Sequence, residues 1–272
     1  MALLPPFYID CVVAIGIENN GQKNWIGTGF LFGNLLKPTE DGLNLYTTYL
    51  VTNKHVLKGL DNIIVRFNPQ ENQSSKDYSI ILKSPDGKIN WTGHSDSDID
   101  VAVIQVNVHF LKEQGMKCNF FQSDKFAYTI DQMEKEGLGE GDFIYVLGFP
   151  MGIVTERQYV FSRGGTISRI RDLYEKRSKD FVVDAFVFPG NSGGPVVSKP
   201  ENMAVKDTKA CNKSRLIGMI KSYIPYKDVA VSVQTQKPRI TFEENSGLSI
   251  VEPVDHILQT IVEDIKKNKN VA

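Results

Sequence analysis

Thirty-one Lys and Arg against 32 Asp and Glu over 272 residues leave a formal net charge of −1, and no long basic run supplies the footprint of a nucleic-acid binder. With 41% apolar residues the chain can bury a substantial core, as one large all-β domain or two small ones. No window approaches the roughly 18 apolar residues of a membrane span, so neither a nucleic acid nor a membrane is expected as a partner.

At the start, Met1 to Asn20 shows no basic run ahead of an apolar stretch of signal-peptide length. The expectation is a soluble chain of a reducing compartment, the cytoplasm. Phe7 to Ile17 reads as a β-rich strand broken by Asp10. Cys11, Cys118 and Cys211 are odd in number and irregularly spaced, which fits isolated thiols rather than a disulfide framework or a zinc site. Strands are predicted at Ile63 to Phe67, Tyr78 to Leu82, Val101 to Val106, Phe143 to Leu147 and Phe181 to Val187. Asn19-Asn20-Gly21, Pro85-Asp86-Gly87 and Gly139-Glu140-Gly141-Asp142 supply turns between strands, so hairpins rather than helical crossovers connect them. Long surface loops are expected at Asn34 to Asn44, Lys112 to Glu140, Lys199 to Ser214 and Pro225 to Ser246, with a short helix inside the second at Ile130 to Lys135. The tail predicts an amphipathic helix from Pro253 to Lys267, with Val254, Ile257, Leu258, Ile261, Val262 and Ile265 on one face. That stripe is expected to pack on the protein's own core rather than on a partner.

Phe188-Pro189-Gly190-Asn191-Ser192-Gly193-Gly194-Pro195 surrounds one hydroxyl with glycines, which give the backbone room for unusual dihedral angles. A serine nucleophile needs a base for its proton and donors for the oxyanion, and such a loop can offer the donors from its own main chain. Ser192 is therefore the candidate nucleophile, although the same composition also makes an ordinary turn. Tyr49 to Leu57 places His55 just after an apolar strand, and Ser97 to Ile104 sets Asp100 just before another, where a partly buried carboxylate can orient an imidazole. Asp96 and Asp98 compete with Asp100 for that role, and a solvated acidic turn accounts equally well for all three. His94, His109 and His256 stand apart without a second ligand at metal spacing; His94 reads as loop surface, and no metal site or cofactor is predicted.

With the order His, Asp, Ser in these surroundings, the chain resembles the trypsin-like serine peptidases, and within them the bacterial Deg (HtrA-type) branch. Ile26 to Phe32, Gly141 to Pro150, Phe161 to Ile170, Asp184-Ala185, Leu216 to Ile220 and Gly247 to Pro253 are similar to that branch in the same order, over about residues 8 to 265. The resemblance implies two six-stranded antiparallel β-barrels and a C-terminal α-helix in a single peptidase domain spanning 1–272. The first barrel would fall at about 8–110, a linker and loop at 111–140, the second barrel at 141–251 and the helix at 253–267. It implies a serine endopeptidase with His55, Asp100 and Ser192 as triad, the N–H groups of Gly190 and Ser192 as oxyanion hole, and a protein or peptide as substrate. No PDZ domain of the kind usual in that branch is expected.

Asn191 stands where digestive trypsins carry an aspartate that binds the ammonium freed by zymogen cleavage, so no activation by N-terminal trimming is expected. Control through loop ordering at Lys112 to Glu140 or Phe161 to Lys179 is expected instead, with an activating protein as a possible partner. By the family's register Phe186, Val187, Phe188, Lys221, Ser222 and Tyr223 line the substrate pocket. No acidic residue sits there, so small or medium apolar side chains are expected rather than Lys or Arg. Lys221 would otherwise attract an acidic side chain, or point to water. The competing readings are a latent or inactive peptidase-fold binding module and an esterase or acyl-transfer enzyme using the same serine.

Overall fold

The structure is a computed structural model and describes residues 4–38, 44–70, 74–154 and 157–269. Its N-terminal half is a sheet of nine strands: β1 (Val12–Asn19), β2 (Gln22–Lys37), β3 (Leu45–Thr52), β4 (Asn62–Pro69), β5 (Lys76–Ile81), β6 (Thr92–Gly93), β7 (Ala102–Gln105), β8 (Met116–Lys117) and β9 (Phe121–Gln122). The order is β5-β4-β1-β2-β3-β7-β6, with β8 beside β4 and β9 beside β2. Three short helices interrupt it: α1 (Pro6–Ile9), α2 (Lys54–Leu57) and α3 (Val108–Glu113). After α4 (Ile130–Glu136) the C-terminal half follows as β10 (Phe143–Gly148), β11 (Phe161–Arg169), α5 (Arg171–Tyr174), β12 (Phe181–Asp184), β13 (Pro195–Ser198), β14 (Leu216–Val231), β15 (Pro238–Pro253) and α6 (Val254–Lys269). Its six strands close into a barrel in the order β10-β11-β12-β15-β14-β13.

The near-continuous apolar runs of β1, β2 and β3 follow from burial on both faces. Side chains alternate across a strand, so Val13, Ile15, Leu31 and Leu50 fill the interior of the first sheet. Their neighbours Val12, Ala14, Phe30, Phe32, Tyr49 and Val51 face the second half, where they meet Leu147, Phe149, Val197, Leu216 and Met219. The barrel has its own core, with Ile144, Val146, Ile167, Val183, Val196, Ile217 and Val251 buried inside. The two halves thus share one apolar seam.

Only the second half closes as expected. In the first, β6 and β7 are two and four residues long and leave the outer edge of β5 without a ladder partner among the described residues. A groove of about 290 Å³ lies there, lined by Tyr78, Ile80, Ile104, Val106, Phe110 and Leu111 among others. The predicted first barrel is therefore an open sheet.

Other elements also differ from the sequence reading. The strand expected from Phe7 starts at Val12, because Pro6 at the first helical position turns Phe7 to Ile9 into α1. The stretch 112–140 is structured by β8, β9 and α4, the last with a Thr129/Gln132 capping box and Gly137 in the left-handed region at φ 82°. Pro225 to Ser246 is no loop but a protruding two-stranded ribbon in which Tyr226 pairs with Glu244 and Ala230 with Ile240. Its strand period is obscured by charges on both faces. Part of the loop expected at Asn34 to Asn44 is β2, and residues 39–43 lie outside the described residues.

Helix α6 runs two residues beyond the predicted end. Val254, Ile257 and Ile261 are buried in the shared seam, Leu258 and Ile265 pack against it, and Val262 is exposed. The stripe packs on the protein itself. Asp264 on the same helix accepts from Thr92 Oγ1 at 2.8 Å, and Lys267 donates to Trp91 O at 3.2 Å, so α6 fastens the edge of the first sheet to the barrel.

Candidate active site

The Ser192 loop joins β12 to β13 and is held by hydrogen bonds that fix its peptide planes. Pro189 O accepts from Met151 N–H at 2.6 Å, and Asn191 O accepts from Gly194 N–H at 2.8 Å. In a trans peptide the carbonyl and the following N–H point in opposite directions. Pinning those two carbonyls therefore turns Gly190 N–H and Ser192 N–H to the other side, where neither has an acceptor among the described residues. Gly190 O accepts from Thr28 Oγ1 at 2.6 Å, and that same hydroxyl accepts from Phe149 N–H at 3.1 Å. Gly190 adopts φ 98° and Gly193 φ 83°, a region that glycine enters without steric cost. A Cβ on Gly190 would also run into Phe149 O. The buried Asn191 side chain accepts from Phe188 N–H at 3.1 Å and so shapes the loop from within.

His55 lies in α2, directly after β3, and its side chain is 51% exposed at the cleft. Asp100 precedes β7, which pairs with β3 from Thr52 to Tyr49. That pairing brings the two residues together. Asp100 Oδ2 is 2.5 Å from His55 Nδ1, and Asp100 Oδ1 accepts from His55 N–H at 3.1 Å. Of the three acidic candidates Asp100 is the one at His55, while Asp96 and Asp98 bind Lys179 Nζ, at 2.7 and 3.0 Å. Ser192 Oγ makes no hydrogen bond among the described residues, to His55 or to any other group. Ser192 and His55 do line one pocket of about 200 Å³, together with Val187, Phe188, Pro189, Ile220, Lys221, Ser222 and Tyr223.

Five of the six residues expected around the substrate pocket are present in that lining, and the sixth, Phe186, is not. Beyond the end of β12 the alternation continues, so Ala185 and Val187 are buried while Phe186 turns outward and is 54% exposed. Lys221 neither points to water nor presents its charge to the pocket. Its ammonium turns inward to Asp98 O at 2.6 Å, Asp180 Oδ2 at 3.1 Å and Glu252 Oε1 at 3.1 Å. Burial alone would lower the Lys221 pKa, but the charges of Glu252 and Asp180 outweigh it and hold the pKa above the ordinary value.

Sequence reasoning missed Glu252, which is fully buried at the end of β15. It accepts from Asp100 N–H at 2.8 Å, from Lys221, and pairs with His256 Nδ1 at 2.6 Å. Burial pushes its pKa up, but the hydrogen bonds of His256 and Asp100 N–H together with the Lys221 charge more than offset that and leave it below the usual carboxylate value. The available signal was a single carboxylate inside the apolar run Ile250-Val251-Glu252-Pro253-Val254. His94 lies in the loop after β6 and is half-buried, with Nε2 3.1 Å from Gln259 Oε1 and its ring 5.8 Å from that of His256. Among the described residues no group of three or more His, Cys, Asp or Glu side chains converges as metal ligands would.

A two-part β fold with a serine, a histidine and an aspartate at the junction of its halves defines a recognisable class. The family model for the trypsin-like peptidase domain matches residues 27–205, a span that holds all three residues, and the chain belongs to that family. Among solved structures the chain is similar to the MamO protease domain from Magnetospirillum magneticum in its apo form. The two are 14% identical over 93% of this chain and 96% of that one, with a TM-score of 0.46.

Proposed function

We propose that the protein is a serine endopeptidase in which Ser192 Oγ attacks the scissile carbonyl. His55 Nε2 takes the hydroxyl proton and returns it to the leaving amine, and water then hydrolyses the acyl-enzyme by the same route. Asp100 fixes the tautomer, because an acceptor at Nδ1 keeps a proton there and leaves Nε2 free to act as base. The N–H groups of Gly190 and Ser192 hold the oxyanion, each such donor contributing about 3 to 4 kcal/mol to transition-state binding. The observation that carries this reading is the loop with two unengaged N–H groups whose Ser192 lines one pocket together with His55.

The pocket's apolar walls of Val187, Phe188 and Ile220, with the Lys221 charge turned away, favour an apolar side chain before the cut. Protein or peptide is the substrate class, and one peptidase domain fastened by α6 accounts for the whole described chain. The thiols of Cys11, Cys118 and Cys211 are free, which fits a cytoplasmic setting.

The unengaged Ser192 Oγ favours a second reading, a latent or inactive peptidase-fold module that an activating partner would switch on. Resting peptidases also leave this bond long until substrate binds. A fluorophosphonate probe with mapping of the adduct separates the two. Labelling at Ser192 that vanishes in Ser192→Ala and His55→Ala supports the peptidase, whereas no labelling of the folded wild type supports the latent module.

A further inference from the structure

We infer that Glu252 is a positioning residue for the Asp100–His55 pair, an inference that rests on the serine-peptidase reading above. A fully buried carboxylate carries a desolvation penalty of several kcal/mol, so every acceptor position must be matched by a donor. Here the donors come from three separate elements. Asp100 N–H and Lys221 Nζ meet Oε1, and His256 Nδ1 meets Oε2. The first donor belongs to the turn before β7, the second to β14 and the third to α6.

The turn that carries Asp100 is fastened twice by one ion pair. Lys221 donates to Asp98 O, and its partner Glu252 accepts from Asp100 N–H two residues later. From the other side Asn53 Nδ2 donates to Asp100 O at 2.7 Å. The main chain of Asp100 is thus clamped at both its N–H and its carbonyl, and its two carboxylate oxygens are left to hold His55 at Nδ1 and at its backbone N–H. Lys221 is at the same time a wall of the pocket. One buried pair therefore fixes the triad carboxylate relative to the strand that receives substrate.

A purely structural role would be served as well by apolar side chains of similar volume, which commonly match or exceed a buried ion pair in stability. Such a replacement would leave Asp100 N–H without its acceptor and its carboxylate free to tilt. A displacement of about 1 Å in a catalytic group costs roughly 100-fold in rate.

The test follows two signals in the full chain: the rate of fluorophosphonate labelling at Ser192 and the low-field proton resonance of His55 Nδ1–H, which requires no turnover. In folded Glu252→Ala, labelling is expected to slow by about 10- to 100-fold at unchanged probe saturation, with the resonance broadened or lost. Glu252→Gln still offers an acceptor to Asp100 N–H and restores the resonance and most of the rate. Should Glu252→Ala fail to fold, Glu252→Asp withdraws the carboxylate by one methylene, and the same losses are expected. Wild-type resonance and labelling rate in a folded Ala or Asp variant overturn the inference, as does a wild type without the resonance. A resonance that depends on Glu252 in a wild type that never labels leaves the positioning role standing and removes the peptidase reading. A labelling rate indifferent to Glu252 does the reverse.

Discussion

Asp100 holds His55 at two points, Oδ2 at the ring Nδ1 and Oδ1 at the backbone N–H, so the carboxylate fixes the imidazole and the α2 turn that carries it together. Asp100→Asn keeps the shape but presents an amide N–H2 where one of those acceptors stood. If the amide oxygen stays on the backbone N–H, the ring faces a donor and must place its proton on Nε2, where it blocks general-base action. Labelling of Ser192 is expected to fall by about 10⁴-fold while the melting temperature changes little, as for triads of this type.

Thr28 supports the other half of the proposed chemistry. Its hydroxyl donates to Gly190 O and accepts from Phe149 N–H, and the side chain is fully buried. Thr28→Val is nearly isosteric but leaves both groups without a partner, which costs about 1 to 3 kcal/mol for each unsatisfied group. The variant is expected to unfold at lower denaturant and to lose labelling rate, because the 190–191 peptide, which links the two proposed oxyanion donors, is then free to turn. Denaturant titration and labelling on the same sample check both effects.

These supports explain which parts of the site were legible in the sequence. Ser192, His55 and Asp100 sit beside glycines or at strand ends, which made them candidates, but local composition left Asp96 and Asp98 open and the choice of the three came from the resemblance. The glycine-rich loop suggested main-chain donors, and the resemblance alone named Gly190 and Ser192. Glu252, Thr28, Asn53 and the inward turn of Lys221 act through contacts across the chain, 152 residues apart for Glu252 and Asp100 and 162 for Thr28 and Gly190. No local pattern encodes such pairs. The β character was readable because the strands are bounded by turn residues, but the barrels were implied only by the resemblance, and closure of the first depended on β6 and β7 being long enough to meet β5, which strand propensity does not decide. The ribbon from Pro225 was missed for a different reason, since a strand pair exposed on both faces has no buried side to impose alternation.

Specificity follows from the pocket. A Lys, Arg or Asp side chain entering it would lose water without gaining a counter-charge, because among the described residues the lining holds no carboxylate and its one lysine is already held by Asp180 and Glu252. Leaving such a group poorly paired costs about 1 to 3 kcal/mol or more, roughly 10- to 100-fold in kcat/KM. Cleavage-site profiling of a peptide library by mass spectrometry is expected to show apolar residues before the cut and depletion of both charge signs. A preference for Asp or Glu would mean that Lys221 leaves its buried partners on binding.

The Glu252–Lys221 pair also sets a sign for pH dependence. The Glu252 pKa is lowered in the fold, so the stability it contributes is present above the unfolded carboxylate value of about 4.3 and is lost as pH falls through the lower folded value. Lys221 has a raised pKa, so its contribution holds below about 10.4 and fades only as pH rises through a still higher value. The melting temperature of the wild type should therefore exceed that of Glu252→Gln most clearly at neutral pH, by an amount corresponding to about 3 kcal/mol. The gap should narrow as the pH drops below about 4.3. Burial raises the Asp255 pKa, an opposing effect that is common to both chains and cancels in the comparison. A gap that widens in acid would contradict the pairing.

The three thiols offer a check on packing that does not involve the active site. Cys11 and Cys118 are buried, and desolvation pushes the first well above the ordinary thiol value and the second to about 11, whereas Cys211 is partly exposed in the stretch between β13 and β14. The thiolate is the reactive form. At neutral pH iodoacetamide is therefore expected to modify Cys211 alone on the folded chain, with Cys11 and Cys118 reacting only as denaturant unfolds it. Peptide mass spectrometry across a denaturant series would read this directly. Early modification of Cys11 would mean that the α1 turn, whose Phe7 O accepts from Cys11 Sγ at 3.3 Å, opens independently of the sheet it covers.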